Sequence, residues 1–290
     1  MNANLRGSLF MAGAMLAFSV EDALYKQAAS TVSPGLALTL FGLGGTVLYA
    51  LLSMRAGEPV VTRDMLRRPL LIRSAIELAA RLFFALALAF TPLSSTSAIL
   101  QAAPLAVTLG AALFLGERVG PRRWTAMGIG FLGVLLILRP SPDAFRADAL
   151  LAVAAMICFS ARDLATRVSP PTVSPWQLGT SGFISVTAAG LVIMVARGEV
   201  PALPPSGALA LLLGMTLFGV AAYTLLTMAM RTGEIAVVAP FRYVRLLAAL
   251  IIAVMAFGER PDIWMLAGAV LIVGSGIYTL LRGRRTAAGH

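Results

Sequence analysis

Apolar runs of about twenty residues follow one another along the whole chain, with only short polar connections between them. That length matches the hydrocarbon thickness of a bilayer when the run is helical. Backbone groups placed in lipid must also be satisfied internally, so only helices or closed barrels can span it. The runs lie at 6–29, 35–54, 70–90, 94–115, 121–138, 147–167, 176–196, 206–230, 234–257 and 261–281. With 59% hydrophobic and 12% charged residues, the chain cannot cover itself with a water-facing surface. The expected fold is therefore an all-α polytopic membrane protein with ten transmembrane helices, the lipid bilayer being its solvent. The first run has features of a signal peptide, with Arg6 ahead of the apolar stretch and Ala28, Ala29 and Ser30 near a cleavable position. Its likeness to the sixth run argues that it is retained.

A formal charge of +10 raises the question of nucleic acid, but the arginines sit in short blocks between apolar runs, where they report membrane orientation. With the amino terminus in the cytoplasm, Arg55, Arg63, Arg67, Arg68, Arg118, Arg122, Arg123, Arg167, Arg231, Arg282, Arg284 and Arg285 fall on the cytoplasmic side. The other side keeps Arg139, Arg146, Arg197 and Arg260, near Asp143, Asp148 and Glu199. Both termini are thus expected inside a bacterial-type cytoplasmic (inner) membrane, and no nucleic-acid partner is expected. The single cysteine, Cys158, permits no intrachain disulfide or cysteine metal cluster, and the single histidine, His290, ends the chain. No cofactor, metal site or catalytic residue is expected, and no phosphate-binding P-loop is visible.

The segment "AFSVEDALYK" (17–26) places Glu21, Asp22 and Lys26 in an oily run, and "CFSARDLATR" (158–167) repeats its pattern. Phe18, Ser19 and Asp22 recur as Phe159, Ser160 and Asp163, and "TVSP" at 31–34 recurs at 172–175, both at an offset of 141. "GER" at 116–118 returns at 258–260, each time ahead of a tryptophan, Trp124 or Trp264, and a glycine-rich run. Ordered matches at nearly constant offset indicate a duplication. The expected units are residues 1–140 and 141–290, each with five helices. An odd helix number makes the second half enter from the opposite side, so the halves form an inverted pair.

Two such halves, each closing with a fourth helix bearing proline or glycine, a "GER" turn and a glycine-rich fifth helix, resemble the EamA-type transporters of the drug/metabolite transporter superfamily. The most specific stretches begin at Ala103 ("APLAVTLGAALFLGERVG") and Ala239 ("APFRYVRLLAALIIAVMAFGER"). The ten-helix layout is similar to that of amino-acid exporters in that superfamily. The resemblance implies alternating access around a central cavity. One departure is visible: Pro104 lies thirteen residues before Glu117, whereas the equivalent place before Glu259 holds Leu246 and the second-half proline, Pro240, comes earlier.

An ionisable group at mid-bilayer costs at least about 2.5–3.5 kcal/mol, so each needs a partner, a wet cavity or an escape to the interface. Lys26 and Arg73 lie near helix ends, where snorkelling suffices. Glu77 and Arg81, four apart on helix 3, are expected to pair, either as a structural lock or on the substrate path. Arg242 and Arg245 on helix 9 either offer donors to a substrate carboxylate or reach the headgroups, with Arg245 the deeper. Asp22 falls in the outer part of helix 1 and Asp163 in the inner part of helix 6, as gates at opposite mouths would; the alternative is local pairing, Asp163 with Arg167. Phe18 and Phe159, one turn before these acids, pack at the same mouths or serve as ordinary core residues. Gln101, Trp176 and Tyr223 either bind an amphipathic ligand or join helices. Gly128, Gly133, Gly268 and Gly274 suit close packing or a dimer surface; a homodimer is allowed, though a monomer suffices.

The expected function is secondary transport: export of small metabolites, amino acids including neutral and aromatic ones foremost, by alternating access. Export of cationic drugs is the alternative within transport, disfavoured by Arg81, Arg242 and Arg245. A non-transporting sensor or scaffold is the alternative of another class. An intramembrane aspartyl protease would need Asp22 and Asp163 at one depth and a Gly-x-Gly-Asp motif that neither segment has.

Overall fold

The computed structural model describes residues 2–90, 99–138, 149–257 and 262–287. The side chain of Lys26, residues Arg139, Asp143, Arg146, Asp148, Glu259 and Arg260, the side chains of Arg282, Arg284 and Arg285, and the 140/141 boundary lie outside the described residues. In chain order the helices are α1 (Ala3–Ala28), α2 (Pro34–Arg55), α3 (Arg68–Phe90), α4 (Ala103–Phe114), α5 (Pro121–Leu138), α6 (Ala149–Arg167), α7 (Pro175–Arg197), α8 (Ser206–Arg231), α9 (Val244–Phe257) and α10 (Ile263–Ala287). A helical turn at Ile235–Val238 and a 3-10 stretch at Ala239–Tyr243 lead into α9. Pro240 sits in that 3-10 stretch, where its missing N–H and fixed φ break regular α-helix. Among the described residues α1, α2, α6, α7 and α8 meet the length and hydropathy of a membrane span. Helix α3 instead carries Arg68, Arg73, Glu77 and Arg81.

The duplicated "TVSP" has a local cause. Ser33 and Ser174 precede helix starts whose first residue is proline, Pro34 and Pro175, a position where the lost N–H has no helical partner anyway. Ser174 also accepts from Gln177 N while the Gln177 side chain accepts from Ser174 N, closing a capping box. The "GER" turn begins at Gly116, whose φ of +69° is the left-handed conformation that favours glycine.

Helix pairing obeys the two-fold relation in which α1 matches α6, α2 matches α7, and so on to α10. The tightest pairs are α2 with α7 and α5 with α10, each its own symmetry mate, and α1 with α8, whose mate is α3 with α6. The neighbours α4 with α6 and α9 with α1 are mates in turn, as are α2 with α8 and α7 with α3. The chain is therefore two inverted five-helix repeats. Small residues allow the close pairs, as expected where lipid supplies no hydrophobic drive between helices. A Cβ on Gly42 of α2 would stand 2.5 Å from the Thr187 backbone nitrogen of α7. Gly133 and Gly268 meet across α5 and α10, where a Cβ on either would come within 2.6 Å of the other's carbonyl oxygen. Gly128 and Gly274 face open space and pack against nothing described.

The start of α1 and the end of α10 lie on one face. Asn4 of α1 bonds Glu234 just after α8, and α5 and α10 run antiparallel through the contacts of Gly133 with Gly268 and Gly130 with Ser275.

Candidate functional site

Four guanidiniums and two carboxylates meet inside the bundle. Glu77 of α3 is wholly buried and accepts from Arg162 of α6 at 2.8 and 3.1 Å and from the Tyr223 hydroxyl of α8 at 3.0 Å. Its i+4 neighbour Arg81 stands off at 3.6 Å. Arg162 Nε faces the Asp163 carboxylate at 2.8 Å, an ionic contact without hydrogen-bond alignment, and Arg242 pairs with the other Asp163 oxygen. Arg73 donates to Tyr223 at 2.7 Å and to Thr166 at 2.9 Å. The crevice among Arg73, Arg162, Asp163, Thr166, Tyr223 and Thr227 is too tight for water. Each carboxylate of the network answers a guanidinium, since desolvation of an unpaired ion costs several kcal/mol.

The aromatic rings are part of it. Phe159 has the Arg81 and Arg162 guanidiniums 5.7 and 5.5 Å from its ring centre, and Arg162 also stands 5.5 Å from the Tyr223 ring. Phe84 of α3 meets Phe159 edge-on at 6.3 Å. Beyond this layer Arg245 grips Asp22 of α1 in a bidentate pair at 2.6–2.9 Å and covers Phe18 at 5.3 Å. The two layers differ in access: the Asp22 and Arg245 side chains are 52% and 41% exposed, against 2% for Asp163. A charged pair this exposed within a membrane helix calls for water or headgroups beside it rather than lipid tails.

The face bearing the ends of α1 and α10 is tied together by polar contacts. Glu117 of the "GER" turn accepts from Ile235 N at 3.1 Å, capping the approach to α9, and lies 3.8 Å from Arg167. Arg231 donates to the carbonyls of Ser169, Pro170 and Val173 between α6 and α7. Arg123 pairs with Glu234, which also accepts from Asn4 at 3.1 Å. Burial opposes the Glu234 charge, but the hydrogen bonds from Arg123 and Asn4 and the Arg123 charge outweigh it and hold the carboxyl below its ordinary value. A shallow cleft of about 560 Å³ remains on this face, between Asn2, Asn4, Arg167, Arg231 and Glu234.

Of the residues singled out from sequence, Glu77, Arg81, Phe159, Asp163, Tyr223 and Arg242 share the buried layer, and Phe18, Asp22 and Arg245 the exposed one. Gln101 stands apart in the turn before α4, half-buried, and Trp176 packs on the apolar cluster around Phe41 and Phe183. Several expectations need correction. Arg73 does not snorkel: it is 1% exposed, held by α6 and α8. Asp163 pairs with Arg162 and Arg242 rather than Arg167, which turns to Glu117. Arg242, not Arg245, is the more deeply packed, its side chain 11% exposed. Asp22 and Asp163 both dock on this arginine pair, whose i, i+3 spacing sets them about one turn apart. Arg162, the best partner of Glu77, was missed. The signal was present, because Arg162 occupies the position equivalent to Glu21 in the duplicated segment.

Two inverted five-helix repeats around a buried charged layer have the architecture of a membrane transporter. The chain belongs to the EamA-like transporter family, whose model matches it twice, at residues 5–139 and 147–281. A riboflavin transporter of Rhizobium johnstonii is 32% identical over 67% of this chain and 63% of its own length, so the match spans just under two thirds of that relative. The pseudopaline exporter CntI of Pseudomonas aeruginosa strain UCBPP-PA14 is 27% identical over 92% of this chain and 93% of its own. A chain of known crystal structure superposes with a TM-score of 0.81 at 21% identity, covering 96% of this chain and 98% of that one, a likeness of fold. Members of this family are transporters rather than enzymes.

Proposed function

We propose that the protein is a secondary transporter for a small metabolite with an anionic or zwitterionic head and a flat or aromatic body, amino acids being the first such class. The observation that carries this is the surplus of positive charge: among the described residues, Glu77 and Asp163 are the acids within ion-pair distance of the four guanidiniums Arg73, Arg81, Arg162 and Arg242 of the buried layer. Arg81 is the least committed, 3.6 Å from its carboxylate with a buried Nε lacking a hydrogen-bond partner. A substrate carboxylate reaching Arg81 completes its bonding, while a flat substrate body lies against Phe159 and Phe84. The same surplus opposes a cationic drug. The wet layer at Asp22 and Arg245 is the entrance in this conformation, and the contacts of Glu117, Arg123 and Arg231 form the closed gate. The excess of loop arginines on the termini side supports a cytoplasmic placement of that gate in an inner membrane, and export as the physiological direction. The Rhizobium relative favours a second reading, riboflavin, whose planar ring system suits the same aromatic surface.

Flux into proteoliposomes tests these readings together. Tryptophan, alanine, riboflavin and a lipophilic drug cation are offered in turn, and saturable flux of either amino acid, abolished by Arg81→Gln, is the expected result. Riboflavin flux alone selects the second reading. Movement of the cation alone, or of nothing, refutes the assignment.

A further inference from the structure

The segment "AFSVEDALYK" holds a second acid beside Asp22. Glu21 of α1 is 7% exposed, and its Oε2 is a buried atom with no hydrogen-bond partner. The other carboxylates on this path each hold an arginine: Glu77 with Arg162, Asp163 with Arg242, and Asp22 with Arg245. The inverted repeat shows why Glu21 has none. Its counterpart at the offset of 141 is Arg162, which reaches the carboxylate of Glu77 on α3. The α3 equivalent in the second half is α8, and Glu21 meets α8 at Gly219, where a Cβ would lie 3.4 Å from the Glu21 carboxyl carbon and still closer to the Phe41 ring. Glycine and phenylalanine stand where a cation would be needed.

Arg245 and Arg81, the cations that bear on Glu21, have their ion pairs with other acids. Arg245 of α9 is held bidentately by Asp22, and Arg81 of α3 leans on Glu77 and the Phe159 ring. Tyr223 of α8 donates to Glu77, and Tyr49 of α2 bonds the Val220 carbonyl and Thr224. The adjacent Asp22 adds negative charge. An ionised carboxylate in that position bears its desolvation cost and repulsion from Asp22, set against attraction from Arg81 and Arg245 without a hydrogen bond from either, whereas the neutral acid bears no desolvated charge.

We propose that Glu21 is a proton-binding site, occupied in this conformation, and that it couples transport to the proton gradient. The carboxylate takes one proton to become the acid while the site is buried, and releases it when rearrangement brings the carboxyl to the water that already reaches Asp22, its neighbour in the chain. The coupling rests on the transport reading given above; the proton site does not.

Infrared difference spectroscopy of the full chain in nanodiscs reads carboxyl protonation without any substrate. The expected result at neutral pH is a protonated-carboxyl C=O band that disappears in Glu21→Gln and changes frequency in Glu21→Asp, which keeps an acid at the site. A wild-type spectrum without such a band, or a band both variants leave unchanged, overturns the proton site. Coupling is read in proteoliposomes with whichever of tryptophan, alanine or riboflavin crosses: Glu21→Gln should keep solute-for-solute exchange and lose the stimulation by a pH gradient. Stimulation that survives in Glu21→Gln overturns the coupling. Absence of flux with all three solutes overturns the transport reading, while the infrared result still decides the proton site.

Discussion

Replacing Glu77 by Gln keeps the shape of the side chain and removes one of the two negative charges in the buried layer. Arg162 then loses the partner at 2.8 and 3.1 Å, Arg81 loses its ion pair, and Asp163 is left as the acid in ion-pair contact with the guanidiniums of Arg162 and Arg242. Because Glu77 is wholly buried and Arg162 only 7% exposed, water cannot compensate. Removing one member of a buried ion pair typically costs about 3–5 kcal/mol, chiefly through the uncompensated charge left behind. At about 2–4 °C per kcal/mol for large domains, the unfolding midpoint in detergent should fall by roughly 6–20 °C. Thermal unfolding followed by tryptophan fluorescence measures this directly. The double variant Glu77→Gln with Arg162→Gln should recover about 2–3 kcal/mol relative to the sum of the single losses, since it removes both charges of the pair. A Glu77→Gln midpoint within about 1 °C of wild type, where a loss of several kcal/mol is expected, would refute the reasoning. So would a double variant no better than additive.

The two repeated aspartates should respond unequally: Asp163→Asn, in the buried layer, should cost about 3 kcal/mol by the same argument, and Asp22→Asn, in an exposed pair, less than about 1 kcal/mol. Equal losses in thermal unfolding would contradict the two-layer arrangement. Gly42→Ala should cost about 1–3 kcal/mol by wedging α2 from the Thr187 backbone. Gly128→Ala, facing open space, should leave the midpoint unchanged or raise it. For Glu234 the folded pKa is depressed, so its contribution is full above the ordinary glutamate value and disappears as pH falls through the depressed one. The stability difference between wild type and Glu234→Gln, measured across that acidic range, should close accordingly; a difference that does not change with pH would show that the Arg123 and Asn4 contacts do not act through the carboxylate charge.

Membrane residence, the ten helices and the inverted duplication were all legible in the sequence, because each is written in one dimension. Hydrocarbon thickness fixes the length of an apolar run. Duplication leaves "FSVED" and "FSARD" in order, and an odd helix count inverts the second copy. Local chemistry was legible for the same reason: "TVSP" marks helix starts, and Gly116 marks a left-handed turn. Which charge answers which depended on tertiary structure. Along helix 3, Arg81 is the natural partner of Glu77, yet Arg162, distant in sequence, holds it more closely because α6 packs against α3. Arg73, one helical turn before Glu77, reads as an interfacial residue until α6 and α8 bury it. Glu21 and Asp22 are neighbours in the chain, but successive residues on a helix point about 100° apart. Asp22 therefore meets Arg245 in an exposed layer and Glu21 a glycine and a phenylalanine in the buried interior, and that difference arises only when α1 is set against α8 and α9.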